Sequence, residues 1–315
     1  MTNVLNALLK QPYWVIALLV GASFVAIPCV SVEKGSFSTH APTTLWLPAV
    51  GIVLLILSWT AFGYTLFFKS PGHVGDAGAG LDLTRVKQSD GVFWTTVGGC
   101  EIRVVNGRVE DFVCEPGTAI ALPCNEYFDD RCVDDAGSAL GAYVGRVFEG
   151  QVPEFVLLMK DESRKKLGPG QEQQKTEGEL AQSLGPGKCV LLMNPLGRTT
   201  PVALVSTTTQ RAGEGLSARI SYLFDGTRSL VTRLADTRFS KVAMPVLGAG
   251  HGQIDPPLAF VGLLLAVAEA ARYGQGAQRL KKVTVIVFKP DANKSPVVDP
   301  IVVQRALALI SSGSD

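Results

Sequence analysis

The sequence predicts an α/β protein tethered to a bilayer: two N-terminal transmembrane helices followed by a three-layer α/β/α domain with a mixed sheet. Three observations lead there. Two long charge-free stretches lie near the N-terminus. Apolar runs without polar alternation, VALV at Val202–Val205 and VTVIVF at Val283–Phe288, read as strands covered on both faces. These runs alternate with segments of helical spacing, the order that places a sheet between helix layers.

The first stretch, Pro12 to Val32, reads PYWVIALLVGASFVAIPCVSV, and the second, Leu45 to Phe68, reads LWLPAVGIVLLILSWTAFGYTLFF. Each is long enough to cross a hydrocarbon core of about 30 Å as a helix of roughly 20 residues. Tyr13, Trp14, Trp46, Tyr64, Phe67 and Phe68 sit toward the ends, where aromatic belts form. A signal peptide is the rival for the first stretch, and the second span that follows argues against it. Lys34 is the only Lys or Arg between the spans, whereas Lys10 precedes them and Lys69, Arg85 and Lys87 follow. That bias places both termini in the cytoplasm of a multi-pass inner-membrane protein. The segment Lys69–Gly80, KSPGHVGDAGAG, has linker composition. The expected organisation is a membrane hairpin over 1–70, a linker over 71–90 and an α/β domain over 91–315.

Lys and Arg total 29 against 28 Asp and Glu, a net charge of +1. A general nucleic-acid binder shows a basic excess, so no nucleic-acid partner is expected. The mean hydropathy of +0.25 comes from the N-terminal stretches. The six cysteines form no CxxC pair and no Cys/His spacing for zinc, so neither metal nor cofactor is expected.

Strands are expected at Val92–Val97, Glu101–Val105, Thr118–Leu122, Glu154–Met159, Cys189–Met193, Val202–Val205, Val242–Val246 and Val283–Phe288. Gly98-Gly99 and Asn106-Gly107 read as turns. Helices are expected at Asp134–Phe148, Leu216–Leu234, Pro256–Arg272 and Ile301–Ile310. The insert Asp161–Lys188 carries Gly-Pro-Gly twice and reads as a surface loop.

Three stretches bear chemistry. Strand Val242–Val246 runs into Leu247-Gly248-Ala249-Gly250-His251-Gly252 and then a long helix. Glycines let a backbone approach a ligand closely, and successive N–H groups beside a helix start form a cradle for phosphate oxygens. Strand Thr118–Leu122 runs into Asn125 and the acidic segment Asp129, Asp130, Asp134 and Asp135, then Ser138. Ligands of open α/β sheets bind beyond the carboxyl ends of strands, and an Asn amide there meets a ribose hydroxyl as donor and acceptor. A solvated acidic loop with an Asp helix cap explains the same residues. Ser206-Thr207-Thr208-Thr209 places hydroxyls after a buried strand, facing the same cleft or bonding locally in a turn. His251 is the only histidine expected in the folded domain; catalysis would need an orienting partner and a nucleophile, and the sequence names neither.

In these segments the chain resembles macro domains, the ADP-ribose-binding α/β/α family. Ala119–Asn125 with Asp134–Gly141 stands where that family has its Asn-containing strand end and small-residue loop, and Pro245–Gly252 stands at its phosphate loop. The resemblance gives Asp111 the part of the acid that holds the adenine amino group. Asn125-Glu126-Tyr127-Phe128-Asp129 with Ser138-Ala139-Leu140-Gly141 is similar to one branch, the membrane-anchored macro effectors of Thoeris-type antiphage systems. The first loop is poorer in glycine than is usual in the family, which leaves the grip on the distal ribose open. What the resemblance implies is a membrane effector without enzymatic activity. It would bind an ADP-ribose-derived signal, such as histidine-ADP-ribose, made by a partner TIR-domain enzyme. It would then assemble into a homo-oligomer and disrupt the lipid bilayer, causing abortive infection. A membrane-tethered ADP-ribosyl hydrolase is the alternative.

Overall fold

The computed structural model describes residues 30–33, 36–39, 81–212, 215–274, 280–291 and 293–312. The chain divides into two compact units, Met1–Gly78 and Ala79–Asp315. In the first, the described residues form an antiparallel hairpin, β1 (Val30–Glu33) and β2 (Ser36–Thr39), with Glu33 opposite Ser36. Val30–Val32, expected at the end of the first span, is therefore strand. Valine alternates with polar residues in VSVE, the period-two pattern of strands. The rest of both expected spans lies outside the described residues.

The second unit is built on a nine-stranded mixed sheet. Its strands are β3 (Lys87–Ser89), β4 (Val92–Val97), β5 (Cys100–Gly107), β6 (Thr118–Asn125), β9 (Cys189–Leu192), β10 (Val202–Arg211), β11 (Gly215–Ala218), β12 (Lys241–Pro245) and β13 (Lys282–Phe288). The order is β11-β10-β6-β12-β13-β5-β4-β3, with β9 also on β10. Five strands, β10, β6, β12, β13 and β5, run parallel, so their carboxyl ends share one edge of the sheet. A separate hairpin pairs β7 (Gln171–Thr176) with β8 (Glu179–Ser183).

Alternate residues of the central strands enter two different cores. Ala119 and Ala121 of β6, Ala203 and Val205 of β10 and Val283, Val285 and Val287 of β13 face one core. It also holds Leu223 and Leu230 of α3 (Ile220–Ala235), Phe260 and Leu263 of α4 (Pro256–Tyr273) and Leu307 of α5 (Pro300–Ser311). Ile120 and Leu122, Val202 and Leu204, and Ile286 face the other. There they meet Leu140 and Val144 of α1 (Ala139–Val147) and Phe155 and Met159 of α2 (Val152–Leu167). Two-sided burial explains why the central strands read as continuous apolar runs. Among the described residues α4 is also the one helix long and apolar enough to cross a membrane, and 56% of its apolar window is buried inside the unit.

Several elements differ from expectation. Glu154–Met159 is helix, because Phe155, Met159 and Ser163 bury one face at helical spacing and Pro153 opens the first turn. The insert is ordered: Asp161–Leu167 completes α2 and the β7–β8 hairpin follows. Ser206–Thr209 belongs to β10, where threonines suit a pleated surface. Asn106 and Gly107 continue β5, opposite Val287 and Phe288, instead of turning. Gly215–Ala218 is strand ahead of α3, and α1 begins only at Ala139, after its cap Ser138. Leu83–Arg85 and β3, inside the expected linker bounds of 71–90, are a 3-10 turn and the edge strand.

At the amino end of the sheet, Glu115 accepts from Lys282 of β13 and from Lys241 of β12, the latter at 2.9 Å. The Lys282 hydrogen bond first, and then that of Lys241, hold the Glu115 carboxyl at about 2, below its ordinary 4.5. A depressed carboxyl stabilises the fold above its unfolded pKa, and this is lost as pH falls through the folded value. Glu115→Gln should therefore cost stability at pH 6 by less than about 1 kcal/mol, since the ion pairs are solvent-screened. The difference should shrink toward zero near pH 2. Urea unfolding of both proteins across that range checks this; an equal difference at both ends would refute the pairing.

Candidate ligand cleft

The cleft lies at the shared carboxyl edge of the parallel strands, where open α/β sheets bind ligands. Two loops wall it. The first, residues 126–138, connects β6 to α1. The second, residues 246–255, connects β12 to α4. Two compartments of about 80 and 370 Å³ share Gly137, Ser138, Ala139, Val246 and Gly250.

The second loop is anchored by Leu247, whose side chain is fully buried in the core. Gly248 turns the chain with φ +80°, a conformation that favours glycine. The Gly252 carbonyl accepts from Ala218 at 3.0 Å, and a Cβ at 252 would stand 2.6 Å from that of Ala218, so this glycine packs against β11. The carbonyls of Gly248 and Gly250 accept from Ile254 and Gln253. The N–H groups from Gly248 to Gly252 meet no acceptor among the described residues. A Cβ at Gly250 would have nothing within 4 Å. The loop thus offers a row of free donors just before the N-terminus of α4.

The first loop is held by α1. Ser138 accepts from the Gly141 N–H at 2.8 Å and donates to the Cys132 carbonyl at 2.5 Å. Its neighbours, the first N–H groups of α1, have no intrahelical acceptor and lie beside the loop. Asp135 accepts from Gly137 N–H and meets His251 Nε2 at 2.6 Å, each side chain about 45% exposed. This contact ties the two loops together.

The small compartment is lined by Cys124, Cys132, Thr207, Thr208, Leu216 and His251. Thr207 is the extra residue of a β-bulge, because Ser206 pairs with Cys124 and Thr208 with Asn125. Bulges re-aim side chains near sites. Its hydroxyl is buried and meets no partner among the described residues. Burial pushes the Cys132 thiol up to about 11 and that of Cys124 well above the usual range, so neither supplies a thiolate at neutral pH. The large compartment is more apolar, lined by Val109, Pro245, Val246, Pro256, Ile286, Phe288 and Val297 with Arg108 and Glu110 at its side.

Of the residues singled out in the sequence, Ser138, Thr207, Gly248, Ala249, Gly250, His251 and Gly252 line the cleft, and Asp135 joins it through His251. Leu247 is an anchor. Asn125 is fully buried; its amide donates to Asp129 at 2.8 Å and accepts from Tyr127 N–H, so it serves the turn and does not line the cleft. Asp129 pairs with Lys175 at 2.8 Å and Asp130 with Lys160 at 3.1 Å, while Asp134 is exposed. Asp111 lines a neighbouring hollow of about 610 Å³, and the acid beside the apolar compartment is Glu110. Sequence reasoning missed Arg108, Glu110, Phe288, Val297 and the two thiols. The longer β5 carries Arg108 and Glu110 to the edge, and a strand-terminal aromatic such as Phe288 was the signal available. Among the described residues, no three His, Cys, Asp or Glu side chains cluster to hold a metal ion.

No family model and no curated protein matches the chain. Solved structures with a similar course of the chain include an Oceanobacillus iheyensis macrodomain with MES bound. It is 12% identical, with a TM-score of 0.47, and the match covers 70% of this chain and 98% of that one. The macrodomain of Thermus aquaticus DarG is 20% identical with a TM-score of 0.38, covering 60% and 98%. A Trypanosoma brucei macrodomain in complex with ADP-ribose is 15% identical with a TM-score of 0.39, covering 59% and 63%.

Proposed function

We propose that the second unit is a macro-type domain whose cleft binds an ADP-ribose-derived nucleotide, with the diphosphate on the N–H groups of Gly248–Gly252. The observation that carries this is the row of unbonded donors, flanked by Gly250 with open space above it and by the start of α4. Oriented N–H groups at a helix N-terminus hold anions by hydrogen bonds and by the helix field. The apolar compartment with Phe288 suits a base, and the small one with Thr207, Ser138 and His251 suits the distal sugar and its substituent.

The chain as a whole is, in this reading, an inner-membrane effector of bacterial antiphage defence with both termini in the cytoplasm. A TIR-domain enzyme supplies the nucleotide, for which histidine-ADP-ribose is the leading candidate. Binding drives homo-oligomerisation, and the two N-terminal spans then disrupt the membrane and abort infection. The support is the pair of charge-free stretches and the sequence resemblance of residues 119–141 and 245–252. Ligand can drive assembly only if the assembled state binds it more tightly.

Thermal unfolding of the full chain in detergent with ADP-ribose, its histidine conjugate, cyclic forms or adenosine tests the first step. A ligand at a hundred times its Kd stabilises by about 2.7 kcal/mol, so ADP-ribose compounds should raise Tm and adenosine, lacking the diphosphate, should not. Failure of every diphosphate compound would reject the reading.

One observation favours a second reading, a membrane-tethered ADP-ribosyl hydrolase. His251 has the orienting partner a general base requires, Asp135 at 2.6 Å. Turnover of an ADP-ribosylated substrate, lost in His251→Ala, would establish it; intact substrate after prolonged incubation leaves the binding reading alone.

A further inference from the structure

We infer that the β7–β8 hairpin is a swapping arm: it lifts from its own chain and docks on the same turn of a second copy. This rests on the assembly step proposed above and names the surface on which copies meet. The hairpin stands between two glycines at which the chain can swing. Gly168 has φ +87° and Gly185 φ +89°, and each precedes a proline. A Cβ at Gly168 would meet nothing within 4 Å, and one at Gly185 only Lys188 Cε at 3.9 Å, so both have room to turn. Pro169 and Pro186 have no N–H, which keeps these two points from zipping into a neighbouring ladder. Among the described residues, none of 171–183 enters either apolar core; Leu184, beside the second hinge, packs half-buried on the α1–α2 side. Polar pairs hold the arm instead. Lys175 Nζ lies 2.8 Å from Asp129, Ser183 Oγ donates to Glu126 Oε2 at 2.6 Å, and the Leu184 N–H donates to the Glu126 carbonyl at 2.9 Å. A segment with few buried apolar contacts opens at low free energy. Lifting the whole arm lets water reach both carboxylates, whereas removing one side chain strands a charge.

The receiving turn presents Glu126 and Asp129, and the arm answers with the ammonium of Lys175 and the hydroxyl of Ser183. The sequence that fits this dock is the arm itself, and every copy carries both halves. Swapping therefore replaces each contact by an identical one, at the cost of joining two chains. A bilayer tether of the kind proposed above confines the copies and raises the effective concentration of docks. With six residues at ~3.3 Å each, β7 spans about 20 Å, enough to reach a neighbour. The dock also belongs to the wall of the cleft. Asp129 accepts from the Arg131 N–H, and Cys132, the next residue, lines the small compartment, so arm and ligand act on one segment.

The test mixes isotopically light and heavy full-length chains in detergent, with and without ADP-ribose. A carbodiimide then joins Lys175 to Asp129, and the linked peptides are weighed. With ADP-ribose, about half should combine a light and a heavy strand, the statistical share for reciprocal swapping. Like-labelled pairs alone, in chains that ADP-ribose assembles, would show the arm at home; that overturns the swap and leaves the assembly reading standing. If ADP-ribose neither assembles the chain nor yields mixed pairs, both fall. A second measurement needs no coupling. A chain with 171–183 replaced by a short Gly-Ser linker keeps a vacant dock. Asp129→Asn keeps its arm and its turn, since Asn still accepts from the Arg131 N–H, but lacks the carboxylate that holds the arm at home. Co-expressed under separate tags, these two should co-purify about ten-fold more than two armless chains do. Hydrogen exchange at 171–183 should then be about ten-fold slower than in Asp129→Asn alone, the scale of one regained, nearly buried ion pair. Equal co-purification with unchanged hydrogen exchange overturns the swap.

Discussion

Gly250→Glu should fold as the parent does and lose at least a hundred-fold in affinity for ADP-ribose. The two halves of that expectation come from different observations. A Cβ at this position meets nothing within 4 Å, and the residue needs no positive φ, so a side chain enters without moving its neighbours. Tm should then stay within about 2 °C of the parent, as for substitutions away from packed features. The same open space is where a diphosphate would lie. A carboxylate there is repelled by the ligand and also competes for the N–H groups of the loop. At about 4 Å and an effective dielectric near 20, one charge pair is worth about 4 kcal/mol, ample for the stated loss. Gly250→Ala, which adds bulk without charge, should weaken binding far less. Calorimetric titration beside thermal unfolding separates the cases. Retained affinity in Gly250→Glu would show that the loop is not the anion site. Lost affinity accompanied by a collapse in Tm would mean that the glycine serves the fold.

The sheet was legible because its central strands are buried on both faces. VALV, TAIAL and VTVIVF admit few other readings once helices alternate with them, and each lies in the observed sheet. The glycine loop was legible for the same reason, since a strand, a turn that demands glycine and a long apolar helix follow one another without a gap. What could not be read were features decided by partners distant in the chain. Phe155 and Met159 fit a short apolar strand as well as one face of a helix, and only the packing of α2 over β9 decides. The Asp129–Asp135 run looked like a set of ligand contacts because its cations, Lys160 and Lys175, are 30 or more residues away in sequence. The orienting partner of His251 was equally hidden, since Asp135 reaches it only once two loops converge at the sheet edge. Glu110 and Phe288 were missed for a smaller reason: β5 runs two residues past the point where an Asn-Gly pair suggests a turn.

The insert gives the sharpest contrast between pattern and packing. As a surface loop, residues 171–183 would tolerate loss of any one charge. In the structure Lys175 is only 8% exposed, lies 2.8 Å from Asp129 and stands 5.7 Å from the centre of the Tyr127 ring. Ser183 donates to the buried Glu126 at 2.6 Å, and the Leu184 N–H donates to the Glu126 carbonyl at 2.9 Å. Burial favours the neutral amine, but the bonds to Asp129 and Glu179 outweigh it and hold Lys175 above its ordinary value. A raised lysine contributes its stability at every pH below the unfolded value and loses it only as pH rises through the folded one. Lys175→Met should therefore destabilise the unit by about 3 kcal/mol at neutral pH, because it leaves the Asp129 carboxylate without its cation in a nearly closed site. The double variant Asp129→Asn/Lys175→Met should recover part of that loss, since the stranded charge is gone while Asn still accepts from Asn125 and Arg131. The loss should also reach the cleft: the Asn125–Asp129 turn ends β6, and Cys124 one residue earlier lines the small compartment. Denaturant unfolding gives the stabilities, and hydrogen exchange at 171–183 shows whether the hairpin lets go of the turn. An unchanged midpoint with full protection of the hairpin would mean that the pair is a surface contact, and the docked insert would then have no part in shaping the distal end of the cleft.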